Sequence, residues 1–138
     1  MSSVPGLGGR REAREEALAL LYEIDATGAS VADALDERAA EPEDYAVEMA
    51  RGVEAEGPAL DRVVSGNLKG WRLQRLAVVD RILVRMATWE LMERPDVPTG
   101  VILSEAVELA TQYSGEDSPR FVNGLLAAVA REVRGPSE

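Results

Sequence analysis

Two groups of residues have the types and spacing to do chemistry. The first is a corner, Glu116-Asp117-Ser118-Pro119-Arg120, lying between two stretches of helical apolar periodicity. A helix N-terminus offers free backbone N–H groups to a phosphate or a base oxygen, and carboxylates accept from base amino groups such as the cytosine N4 amine. Arg120 adds a cation in the first turn. Gly115 suits a left-handed position past the end of the preceding helix, Ser118 is the expected N-cap, and Pro119 the first helical residue. Capping alone accounts for the corner equally well at this level. The second group is Arg10, Arg11 and Arg14, with Tyr22 further along the same stretch. Arg11 and Tyr22 are eleven residues apart, about three helical turns, so they fall nearly on one line. Arginines hold phosphates bidentately, and an aromatic face stacks an unpaired base. The competing reading is a solvated helix start whose arginines pair with Glu12, Glu15 and Glu16. Cations at a helix N-terminus oppose its dipole, which favours a functional reason for them.

Composition narrows the chemistry. The chain has no Cys and no His. That removes thiolate chemistry, the commonest general base and the commonest metal ligand. Glu105 and Glu108 lie within one turn of each other, but with no His to join them no metal is expected, and no cofactor or catalytic group is assigned. The net charge is −10, from 15 basic and 25 acidic residues. Such a chain repels nucleic acid and anionic membrane on average, so any RNA contact must be local or shared with a basic partner. Only Lys69 is a lysine; the other cations are arginines, the better phosphate and base ligands. Residues 12–61 hold fifteen of the 25 acids, which reads either as a solvated helical surface or as a docking face for a basic protein.

The elements that must position these groups are helices. The chain's 138 residues suit one domain. Hydrophobic residues are 46% and aromatics only 4%, so Leu, Val and Ala must fill the core, which suits close helix packing. Residues 1–9 are rich in Ser, Gly and Pro and are expected to be a disordered tail, without the apolar run of a signal peptide. No apolar stretch approaches the roughly 20 residues that span a bilayer, which makes the cytoplasm the expected compartment. Apolar spacing predicts a first helix over Arg10–Ala26, a short one capped by Ser30, and a third started by Glu41-Pro42-Glu43-Asp44. Gly57-Pro58 should break that third helix, and a fourth should run from Ala59 to Leu68. Trp71–Leu76 reads as a short helical turn leading into Val78–Glu93, which is apolar on most of its circumference and so belongs at the centre of a bundle. After the breaker at Arg94–Pro98, helices are expected over Thr99–Gln112 and from Ser118 to about Arg134. In the last helix Asn123-Gly124 reads as a packing pair: the glycine allows a close crossing and the asparagine bonds across it. No stretch alternates as a strand does. The expectation is an all-α domain over residues 10–134 with about seven helices in packed bundles, and a short tail at 135–138.

Several runs, taken together and in order, resemble a known family. Glu116-Asp117-Ser118-x-x-Phe121-Val122-Asn123-Gly124-Leu125-Leu126 resembles the signature of the NusB transcription antitermination factors. So do Val79–Ala87, Trp89-Glu90-Leu91 and Asp96-Val97-Pro98, with Glu105–Ala110 plus Tyr113, and Arg10-Arg11-x-Ala13-Arg14. The resemblance implies two packed helical bundles and binding to boxA RNA alongside the ribosomal protein NusE, on elongating RNA polymerase, notably in ribosomal RNA operons. Carried over by position, it implies an RNA side of Arg10, Arg11, Arg14, Tyr22, Tyr113, Glu116, Asp117, Ser118 and Arg120, with Asp80 on the NusE side. Glu12 stands where the family often has a basic residue, and Ser104 where it usually has Asn. With the acidic net charge, this predicts weak RNA binding by the isolated chain. Family members occur both as monomers and as homodimers, and the sequence does not choose. A similar helical domain begins certain RNA cytosine methyltransferases, but this chain carries neither a nucleotide-binding Gly-rich loop nor a catalytic Cys. A helical protein-interaction module without an RNA role is the third reading.

Overall fold

The computed structural model describes residues 8–136. Residues 1–7 of the expected N-terminal tail and 137–138 of the C-terminal one lie outside them. Seven α-helices are described: α1 (Gly8–Thr27), α2 (Val31–Asp36), α3 (Asp44–Ala55), α4 (Gly57–Gly66), α5 (Val78–Glu93), α6 (Thr99–Tyr113) and α7 (Ser118–Arg134). A single 3-10 turn, Leu73–Arg75, leads into α5.

The central position of α5 follows from its composition. Residues Ile82, Leu83, Val84, Met86, Ala87 and Leu91 are buried over more than half of its circumference, so it needs neighbours on several sides. It finds them in α1, α3 and α4 in one direction and in α6 and α7 in the other. The result is two helical bundles sharing α5: α1, α2 and α3 close one, and α6 and α7, flanked by α4, close the other. The apolar faces expected of α1 and α6 point into this core, with Ala13, Ala17 and Leu20 on α1 and Ile102, Leu109 and Ala110 on α6 buried.

The helix ends largely obey local chemistry. Ser30 caps α2, its Oγ accepting from the Asp33 N–H at 3.0 Å. Gly28, Gly70 and Gly135 take positive φ at the stops that end α1, follow α4 and end α7. The third helix starts at Asp44, the last residue of the expected starting run, and the Glu43 N–H is taken by the Glu16 carboxylate of α1 at 2.9 Å. One boundary differs from expectation: Pro58 does not separate α3 from α4 by a loop but sits in the first turn of α4, where a missing N–H is harmless.

Two tertiary devices hold the bundles to α5. Arg134, at the end of α7, donates to the carbonyls of Leu91, Val97 and Arg94 at 2.9, 2.8 and 2.7 Å. It thereby satisfies open carbonyls at the α5 C-terminus with a cation, the favourable sign for that end of the dipole. The other device is a close approach: a Cβ at Gly52 on α3 would overlap the buried indole of Trp89 on α5. Gly52→Ala is therefore expected to destabilise the fold by about 1–3 kcal/mol, overpacking outweighing the better helix propensity of alanine. A urea unfolding midpoint equal to or above that of the native chain would contradict this.

Candidate nucleic-acid interface

The expected arginine cluster does not stay together. Successive helical residues are about 100° apart, so Arg10 and Arg14 share one side of α1 and Arg11 faces another. Arg14 is 2% exposed, and its guanidinium makes a bidentate pair with Glu90 of α5 at 2.8 Å for both bonds. Tyr45 of α3 donates its phenol to the same carboxylate at 2.6 Å. Arg10 lies over the Tyr45 ring, 4.3 Å from its centroid, and within 4.0 Å of Asp96. These two arginines, expected on the RNA side, thus serve the joint between α1, α3 and α5. Burial lowers the Arg14 pKa, but the hydrogen bond and charge of Glu90 outweigh it, so the net shift is upward and Arg14 stays a cation. The sequence signal for this hub was Glu90 itself, an acid inside an apolar helix, which requires a buried partner.

Arg11, by contrast, stands on an outer edge. It pairs with none of Glu12, Glu15 and Glu16; its Nε and Nη2 donate to Glu105 of α6 at 3.0 and 2.7 Å. That hydrogen bond, with the charge of Glu105 behind it, raises the Arg11 pKa. Glu105 is thereby committed to a cation instead of a metal. Tyr113, at the end of α6, donates to Glu15 of α1 at 3.3 Å and is 53% exposed. Tyr22 is 50% exposed on α1. Arg11 and Tyr113 therefore share the α1–α6 edge as a cation and an open ring, held there by contacts between residues 94 and 98 apart in sequence, and Tyr22 lies about three turns further along α1, nearly in line with Arg11. An exposed pair such as Arg11–Glu105 is worth little in water, so the guanidinium can exchange its carboxylate for a phosphate at small cost.

Tyr113 leads directly into the corner, and the corner is built differently from its local reading. Ser118 does not cap α7: it is the first helical residue, the N-cap position belongs to Asp117, and no side chain caps that end. Gly115 is not left-handed. Ser114 and Ser118 instead turn inward and donate to the two oxygens of Asp80 on α5, at 2.7 and 2.8 Å, and lie 2.9 Å from each other. Asp80 is 7% exposed, so the residue expected to face NusE works as the anchor of the corner. Glu116 and Asp117 remain exposed above it. Arg120 lines a depression together with Trp71. Asn123 and Gly124 are also exposed, and nothing lies within 4 Å of a Cβ built on Gly124, so the expected packing role is absent.

Among the described residues no group of three or more acids is arranged to hold a metal ion. The surface presents a cation and an open ring on the α1–α6 edge, carboxylates at the tip of the corner, and the Arg120 cation in the next turn. The NusB family model matches residues 11–131. Among solved structures, NusB of T. maritima shares 31% identity at a TM-score of 0.83, over 96% of this chain and 94% of that one. NusB from Aquifex aeolicus, solved in solution, shares 26% at 0.73 over 96% and 95%. A chain from a crystal structure of the antitermination factors NusB and NusE with double-stranded RNA matches in fold at 0.79, with 24% identity over 91% and 98%.

Proposed function

The chain belongs to the NusB family, and from that membership we infer that it is an RNA-binding antitermination factor and not an enzyme. It binds a boxA-type element of nascent RNA together with NusE and joins elongating RNA polymerase, in the cytoplasm, on ribosomal RNA operons. No helix among the described residues is long and apolar enough to cross a membrane. The observation that carries the reading is the junction of two sequence-distant surfaces. The Tyr113–Glu15 hydrogen bond ties the open Tyr113 ring, which precedes the exposed carboxylates of the corner, to the helix that carries Arg11 and Tyr22. Stacking rings, a releasable arginine and base-edge acceptors on one continuous surface suit a single strand with exposed bases. NusE enters as the basic partner that a −10 chain needs in order to hold a polyanion.

The division of labour is testable by titrating boxA-like RNA and scrambled controls, with and without NusE. Asp117→Ala is expected to compress the difference between cognate and scrambled RNA by about 1–3 kcal/mol. Arg11→Ala is expected to weaken every RNA alike and to flatten the salt slope by about 0.7 for the one phosphate lost. Equal losses on every RNA from both variants would sink the assignment, and no sequence preference in the native protein with NusE would sink the RNA reading.

A further inference from the structure

We propose that the groove around Trp71 is a second nucleic-acid subsite, which holds the sugar-phosphate backbone of a single strand and stacks one base as the RNA leaves the corner; this rests on the RNA-binding reading above. The protein is strongly acidic, and half of its arginines lie within ion-pair distance of a carboxylate. Arg134 is occupied by carbonyls. Among the described residues, the cations left without a carboxylate are Arg51 on α3, Arg62 on α4, and a group from one neighbourhood: Lys69, Arg72, Arg75, Arg120 and Arg131. Lys69, Arg120 and Arg131 line one depression of about 440 Å³, and Arg75 lines its neighbour of about 330 Å³. Trp71 and Phe121 line both, so the two depressions adjoin.

Three features fit a strand to it. Unpaired cations from one neighbourhood make a local positive patch on an otherwise acidic molecule, and such a patch attracts a polyanion. Trp71 is 60% exposed, the most open of the large apolar side chains, and an indole face is the sequence-tolerant stacking platform of single-strand binders. Gly124 lies in the middle of α7 and in the wall of the groove, facing open space. A mid-helix glycine with room for a side chain costs stability, and it leaves backbone that a ligand can approach closely. Asp80 and Asp117 line the corner end of the groove; Asp80 is already bonded to two serines, and Asp117 sits at the tip assigned to base edges. The cations therefore continue the corner outward instead of competing with it.

The test uses anisotropy across a salt series, with the protein alone and with NusE. The probes are a boxA-like element, the same element extended by uridines at either end, and oligouridylate. Extension is expected to raise affinity at least about five-fold, with the salt slope steepening by about 0.7 for each added phosphate neutralised. The double variant Lys69→Gln/Arg131→Gln should lose this gain and keep the native affinity for the unextended element. Trp89 is buried, so quenching by oligouridylate reports on Trp71. Gly124→Ala guards against misfolding: it should raise the thermal midpoint by on the order of 3 °C and still reduce the gain. No gain on extension, with the unextended element still bound, overturns the groove and leaves the RNA function standing. No binding of any RNA in the presence of NusE overturns both. Quenching by polyglutamate as strong as by oligouridylate of equal charge overturns the proposal by assigning the groove to an acidic protein segment.

Discussion

Glu90→Gln is expected to be the most damaging single change in the core, costing about 3–5 kcal/mol of stability, because it leaves the Arg14 cation buried without its counter-charge. Arg14 reaches no water to replace the loss, being 2% exposed. Its Nη1 already lacks a hydrogen-bond partner, with Glu105 3.9 Å away. The double variant Arg14→Met/Glu90→Gln removes the stranded charge and should recover much of the deficit. Urea unfolding of the singles and the double measures this directly. A single-variant loss below about 1 kcal/mol, the range of an exposed pair, would show that the hub is hydrated in solution. Tyr45 adds a pH signature. Burial above all, then the charge and hydrogen bond of Glu90, push its phenol upward, against the smaller opposing pull of Arg10 and Arg14. A raised pKa in the folded state means that this stabilisation is complete below the ordinary tyrosine value of about 10 and is lost as the pH climbs above it. Stability through neutral pH should thus be indifferent to Tyr45 titration, and Tyr45→Phe should remove the alkaline decline while costing about 1–3 kcal/mol at neutral pH, where its hydrogen bond to the Glu90 carboxylate is lost.

Asp80→Ala is expected to cost about 2–4 kcal/mol, since two hydrogen bonds to a charged acceptor disappear and leave Ser114 and Ser118 without it. The damage should be local as well as global. Hydrogen exchange at residues 114–119 should rise more than in α5 itself, because Asp80 is what ties the α6–α7 corner to the central helix. This separates anchoring from direct contact with a partner. If Asp80 positions the corner, Ser118→Ala reproduces a large part of the loss in RNA discrimination. If Asp80 touches NusE directly, Ser118→Ala leaves NusE binding and discrimination intact while Asp80→Ala weakens the complex.

The elements were legible because their causes are local. The period of Val79, Ile82, Leu83, Met86 and Ala87 marks a helix buried on several sides, and α5 has the expected bounds, Val78–Glu93. Thr99 and Ser118 begin α6 and α7 as read, and Gly28, Gly70 and Gly135 mark stops because positive φ is cheap only for glycine. The misreadings share one cause. Ser118 has both the chemistry of an N-cap and that of a donor to a buried carboxylate, and local sequence cannot rank the two. Asp80 lies 38 residues away in the chain and settles it. Asn123 and Gly124 look like a packing pair until no helix proves to cross them.

The sequence by itself determined the helices, their order, the central place of α5 and, through its ordered runs, the family. Those follow from periodicity and backbone preference, which act within a few residues. Only the tertiary structure decided what each polar side chain does. It buried Arg14 against Glu90, left Arg11 on the edge, turned Ser118 inward, and brought Lys69, Arg120 and Arg131 together beside Trp71. A charged group's role is set by whichever opposite charge the fold brings within a few ångströms, and those partners lie tens of residues away along the chain.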